Sequence, residues 1–162
     1  MVHTATESVL ANTGTLRGDV SAHGFWAHGT TAIFDIRVTD TDAASNRSLD
    51  PSKILRRQER EKKDKYSEAC LAVHKHFTPL VYSVDGMEGG EAVAARKRLA
   101  SRLAAKWNRN YAQVCSFVRS RLSFTLVRST SRCLRGTRNP HQRHQGFSWA
   151  EGAGLRLYSR LV

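Results

Sequence analysis

The sequence predicts an α/β protein with a small central mixed sheet flanked by helices. Three observations predict it. Residues 31–39 alternate as a strand does, with Ala32, Phe34, Ile36 and Val38 on one side and Thr31, Asp35, Arg37 and Thr39 on the other. Asp50 followed by Pro51 opens a long helix, with Asp as N-cap and Pro at the first helical position. The remaining patterned segments follow in the order strand, strand, helix, strand, helix, helix, over a chain of 162 residues, one ordinary domain in length.

Taken in order, residues 1–14 are polar and unpatterned and read as a flexible leader. Residues 17–23 form the first strand, and the following HGFWAHG stretch reads as a turn with two glycines. After strand 31–39, residues 40–50 are a polar loop. The helix over 52–74 begins as a charge run, KILRRQEREKKDKY, and then carries Tyr66, Ala69, Cys70 and Val73 on one face. The apolar, β-branched run 77–84 is a buried strand closed by Asp85-Gly86. Gly89-Gly90 precedes a helix over 91–107 with Ala92, Leu99, Leu103 and Trp107 near one stripe. A last helix over 111–127 places Val114, Cys115, Val118 and Leu122 at helical spacing. These stripes are core rather than a cofactor box. Residues 15–130 are therefore expected to form the domain. Residues 131–162, dominated by Arg, His, Gln, Gly and Ser, read as a basic flexible tail.

Composition narrows the function classes. The chain has 26 Lys and Arg against 14 Asp and Glu, a formal net charge of +12, which predicts attraction to polyanions, DNA first and RNA second. The hydrophobic fraction of 40% is that of a folded soluble protein. No apolar run approaches a membrane span, so no membrane partner is expected, and the N-terminus has no secretion signal. Cys70, Cys115 and Cys133 are widely spaced without a CxxC pair, which argues against a disulfide framework or a cysteine zinc site and for a reducing, intracellular compartment.

Strand 31–39 holds the main chemical clue. Asp35 and Arg37 are two apart and project from the side opposite Phe34. An acid in mid-strand is unfavourable by β-propensity and asks for a reason. Asp19 lies on the preceding strand, and a hairpin brings it toward Asp35. Two carboxylates converging at a sheet end can hold Mg²⁺ (or Mn²⁺), which activates water and stabilises charge building on a phosphate. Lys62, Lys65 and Tyr66 fall at i, i+3 and i+4 of the long helix, where two lysines could point at whatever Asp35 binds. The plainer reading is an exposed sheet face with scattered acids and a solvated charge run.

The set Gly18-Asp19, Asp35-Ile36-Arg37 and Lys62-x-x-Lys65-Tyr66 resembles the restriction-endonuclease-like domain of site-specific non-LTR retrotransposons and other reverse-transcriptase-associated element proteins. The resemblance covers residues 17–86 by motif. It implies a restriction-endonuclease-like fold, a metal-dependent DNA endonuclease that nicks a strand, and a nuclear location. Asp19 and Asp35 would be the metal-binding and catalytic carboxylates. Lys65, with Lys62, would orient the attacking water or contact the scissile phosphate, and Tyr66 would brace the helix. The sequence departs from the pattern twice. Gly18 replaces the usual Pro, and Arg37 stands where the wider superfamily has Lys. Arg can bind phosphate but cannot act as a base. A lysine displaced onto the helix repairs the loss, with Lys65 as the candidate. The family's reverse transcriptase is not in these 162 residues, so the chain is expected to be a truncated copy.

Among other candidates, Arg119, Arg121, Arg128, Arg132, Arg135 and Arg138 make a basic stretch which, with Phe117, Phe124 and Trp107 nearby, could track a nucleic-acid backbone. Aromatics at such positions are more often core. Asp40 and Asp42 could supplement the metal site, and His23 could stand near Asp19. The seven histidines do not pair with cysteines at zinc spacing, and the sequence has no Walker A loop, GxGxxG or GxSxG. Two rivals to the nuclease stay open: a non-catalytic basic nucleic-acid-binding module, and a structural ribonucleoprotein component.

Overall fold

A computed structural model describes residues 4–9 and 17–136. The elements are β1 (Thr4–Val9), β2 (Arg17–His23), β3 (Thr31–Thr39), α1 (Pro51–Ala72), β4 (Lys75–Ser83), α2 (Gly90–Trp107) and α3 (Tyr111–Gly136). They form a mixed α/β fold. Its small sheet has the order β1-β2-β3-β4, with β1/β2 and β2/β3 antiparallel and β3/β4 parallel. The parallel step requires a crossover, and α1 supplies it. One unit extends to Arg128, and a second begins at Ser129.

Two expectations about the ends change. The leader over 1–14 contains β1, which pairs along β2 from Thr4 opposite Ala22 to Val9 opposite Arg17. TATESV carries no apolar alternation, so only the partner strand makes it β. Residues 131–136, expected as the start of the tail, belong to α3. The rest of that expectation, including Arg138, lies outside the described residues.

Both faces of the sheet are covered. On one, Ile33 and Phe77 pack against Tyr66 and Cys70 of α1. On the other, Ala22, Phe25, Ala32 and Phe34 pack against Ala95 of α2, with Val20, Trp26 and Leu80 around them. Ile33, among the polar residues of its side of β3, is therefore the core residue of the α1 face, fully buried. Ala32 and Phe34 are buried as their alternation predicts. Ile36 and Val38 are not, at 48% and 44% exposed, because the cluster that takes Phe34 does not reach them. Pro79 lies within β4, where its missing N–H is tolerated because β4 is an edge strand.

Asp50 caps α1 as expected, accepting from the Ser52 and Lys53 amides at 2.9 and 3.3 Å. The buried residues of α1 are Ile54, Leu55, Gln58, Glu59, Tyr66 and Cys70, whereas Val73 is an exposed C-cap rather than part of the stripe. On α2 the buried residues are Ala92, Ala95, Ala100 and Ala104. The expected Leu99 and Trp107 are 38% and 44% exposed. Alanines let this helix lie close to the sheet and to α3, where Ala100 and Ala104 meet Val114 and Val118. Asn108 ends α2 at φ 50°, a left-handed conformation that Asn tolerates.

The two helices also meet. The buried Glu59 carboxylate of α1 accepts the Glu91 amide at 2.9 Å, and so caps the N-terminus of α2. Gly89 is required beside it. A Cβ there would overlap the Glu59 carboxylate and sit 3.2 Å from the Val81 carbonyl oxygen. Arg98 of α2 fixes the β2–β3 turn, donating to the Phe25 and Trp26 carbonyls at 3.1 and 3.0 Å, while Trp26 donates to Thr78 Oγ1 at 2.8 Å. The hairpin that carries Asp19 and Asp35 is thus anchored at its closed end.

Candidate active site at the open end of the β2–β3 hairpin

The β2–β3 ladder ends at the pair Val20–Phe34. Continued by one residue it would set Asp19 opposite Asp35, with both side chains on the α1 face. Instead the Asp19 carboxylate accepts the Ile36 amide at 2.6 Å. In a continued ladder that N–H would have met the carbonyl of residue 18. A carboxylate of β2 therefore reaches the backbone next to Asp35.

Asp35 is 6% exposed, under α1, so it does not lie on an open sheet face. Its partner is Lys62, whose Nζ stands 2.6 Å from Oδ2. Oδ2 has no aligned hydrogen-bond donor, so the contact is an ion pair without a directed bond. Lys62 keeps 21% of its side chain in solvent. It is a cation that reaches both a buried carboxylate and the outside.

Lys65 does not share this position. It is exposed, 5.1 Å from the Tyr66 ring centroid, and among the described residues no contact joins it to either carboxylate. The reason is helical phase. Lys62 is one turn before the buried Tyr66 and on its side, whereas Lys65 is rotated about 100° away. Tyr66 is buried and stacked on Phe77 at 5.1 Å, with Lys62 Nζ 5.5 Å from its ring.

Arg37, two residues along β3, pairs with Glu61 at 3.1 Å with both side chains substantially exposed. Such a pair is weak and is readily exchanged for a phosphate. One turn before Lys62, the buried Gln58 has an Oε1 without a hydrogen-bond partner. Sequence reading passed over it, although its i−4 spacing from Lys62 was a usable signal. The other candidates are placed elsewhere. Asp40 accepts the Asp42 amide at 3.0 Å in a loop turn, and His23 meets Thr31 Oγ1 at 3.2 Å. The cysteines are free, and burial pushes the Cys70 thiol above its ordinary value, which suits packing rather than nucleophilic attack. Arg119, Arg121, Arg128 and Arg132 are all exposed on α3.

The donor set can be tested against a metal. Among the described residues no three His, Cys, Asp or Glu side chains cluster, so neither a zinc cage nor a calcium cage is present. Mg²⁺ and Mn²⁺ keep several waters and need only one or two protein carboxylates; those offered here are Asp19, held on the Ile36 amide, and Asp35, whose Oδ2 faces Lys62. No described helix is long and apolar enough to cross a membrane. Compared with known proteins, the chain matches no protein-family model, no curated protein and no solved structure.

Proposed function

We propose that this chain is a metal-dependent DNA endonuclease domain of restriction-endonuclease-like type, of the kind found in site-specific non-LTR retrotransposons. The observation that carries the reading is the Lys62–Asp35 contact at 2.6 Å. It puts a helix-borne lysine where the strand's own Arg37 cannot serve, beside a carboxylate with Asp19 on the neighbouring backbone amide. Asp19 and Asp35 would hold Mg²⁺ or Mn²⁺, which supplies Lewis-acid stabilisation of the phosphate and lowers the pKa of bound water. Lys62 would donate to the scissile phosphate or the attacking water from its solvent-facing side. Arg37 would bind an adjacent phosphate, and the α3 arginines would hold the DNA backbone. A nuclear location and a parent element with a reverse transcriptase belong to the same proposal.

A specific observation favours a second reading. Lys62 already neutralises Asp35, and Arg37 replaces the superfamily lysine, as in a nuclease fold reduced to a basic nucleic-acid-binding module. Supercoiled plasmid incubated with Mg²⁺ or Mn²⁺ separates the two. The nuclease gives open-circular product, and Asp35→Asn or Asp19→Asn abolishes it without weakening DNA binding, since each removes a charge that repels phosphate. Binding without nicking in either metal would establish the module instead.

A further inference from the structure

α3 carries five arginines and no acidic residue between Tyr111 and Gly136. Its buried side is Val114 and Val118, with Leu103 of α2 and Cys115 and Leu122 around them. The flank of the helix, about 70–100° round from this buried side, follows a second pattern. Phe117, Arg121, Phe124 and Arg128 fall at i, i+4, i+7 and i+11, within about 40° of one line along the helix. All four are exposed, Phe124 at 71% and Phe117 at 49%. Val127 is 65% exposed and lies, with Arg119, Ser120, Ser123 and Phe124, along a shallow groove beside this line. Trp107 stands edge-on to Phe117 at 5.9 Å and sets that ring's orientation.

We infer that this stripe is a binding track for single-stranded nucleic acid, with Phe117 and Phe124 stacking on bases and Arg121 and Arg128 holding the phosphates between them. The inference rests on the nucleic-acid reading above but not on catalysis. Charge decides the class of occupant. An apolar protein surface would suit the two phenylalanines and leave the arginines without counter-charges, and an acidic protein surface would do the reverse. A duplex satisfies the arginines only, because its base faces are closed to rings on a helix surface. A single strand offers both a phosphate for each guanidinium and an open π-face for each ring. The two rings are about 10 Å apart along the axis, by the helical rise, which leaves room for a nucleotide held by Arg121 between two stacked ones.

The test measures fluorescence anisotropy of a labelled 20-nucleotide single strand and of the matching duplex, with the full chain in EDTA. Cutting is then impossible, and failure of the nuclease reading cannot be confused with failure of this one. Phe124→Ala is expected to weaken single-strand binding roughly 5- to 100-fold, the range for loss of one base stack, and to leave the duplex unchanged. Arg128→Ala is expected to weaken both and to lower the single-strand salt slope by about 0.7. Since Phe124 is largely solvent-exposed, its variant should keep the wild-type melting temperature, which separates binding from folding. Equal loss on strand and duplex, unchanged single-strand affinity, or no binding by the wild type would overturn the inference. So would wild-type self-association that Phe124→Ala abolishes, which would assign the stripe to a second copy of the chain.

Discussion

The two faces of the sheet are made by alternate residues of the same strands and are used differently. On the α2 face Ala22, Phe25, Ala32 and Phe34 meet an alanine-lined helix, and the polar Trp26 and Thr78 satisfy each other. On the α1 face Ile33 and Phe77 meet Tyr66 and Cys70, and Ile54 and Leu55 of α1 and Val81 of β4 are fully buried as well. The next residue of β3 on that side is Asp35, paired with Lys62, and the one after is Arg37, paired with Glu61. Apolar burial stabilises in proportion to area. A buried ion pair does not, because desolvating two charges offsets most of their attraction, and apolar replacements of similar volume are often as stable or more so. The difference is that both faces bury apolar side chains, whereas the α1 face alone also buries a charge pair, whose retention the proposed function would explain.

The comparison breaks most directly at Phe34. Phe34→Ala should remove about 3–5 kcal/mol of stability, as large-to-small changes in well-packed cores do, measured by urea denaturation. A loss under 1 kcal/mol would mean that Phe34 is not part of a well-packed core. The α1 face should respond in a less obvious way. Lys62→Met leaves Asp35 buried without its cation and should lose about 1–3 kcal/mol, less than a fully buried pair because Lys62 is partly in water. Asp35→Leu combined with Lys62→Met should regain that loss. A double variant less stable than Lys62→Met would show that the pair itself stabilises the fold and would weaken the functional reading.

The smallest effect is at Glu59. Burial raises its carboxyl above the ordinary value of 4.5, against the opposing pull of the Glu91 amide hydrogen bond. A raised folded value means that the native state holds the proton more tightly than the unfolded chain. The associated stability is present below 4.5 and is lost as the pH rises through the raised value. Glu59→Gln keeps an acceptor for the Glu91 amide and removes the titration. Wild-type stability should therefore fall relative to the variant as the pH rises above 4.5. A wild type that gains on the variant over that range would show that the charge at the α2 N-terminus outweighs its burial.

The parts of the fold legible in sequence were those with a strong local signal. The strand at 31–39, the Asp50-Pro51 start and the Val114/Val118 stripe all reappear in the structure, though only the first half of the strand is buried. β1 was not legible, because its polar residues take strand form only against β2. On α2 the apolar stripe was drawn through the large residues, whereas the alanines are buried. Close helix packing selects small side chains there, and their weak hydrophobicity hides the face. At the candidate site, Asp19 and Asp35 could be named from the strand period. Of the helix lysines, sequence reading favours Lys65, because the charge run from Arg56 to Lys65 has no apolar marker of its phase, whereas the structure sets Lys62 against Asp35. Leu55, Tyr66 and Cys70 bracket that run, and their common phase selects Lys62.

That selection is the sharpest claim of the account, and nicking rates of Lys62→Met and Lys65→Met, measured in parallel on supercoiled plasmid with Mn²⁺, test it most directly. The account predicts that Lys62→Met loses at least about 100-fold, a typical contribution of a positioned catalytic group, while Lys65→Met stays within a few-fold of wild type. Loss at Lys65 with retention at Lys62, or equal rates in both variants, would contradict it.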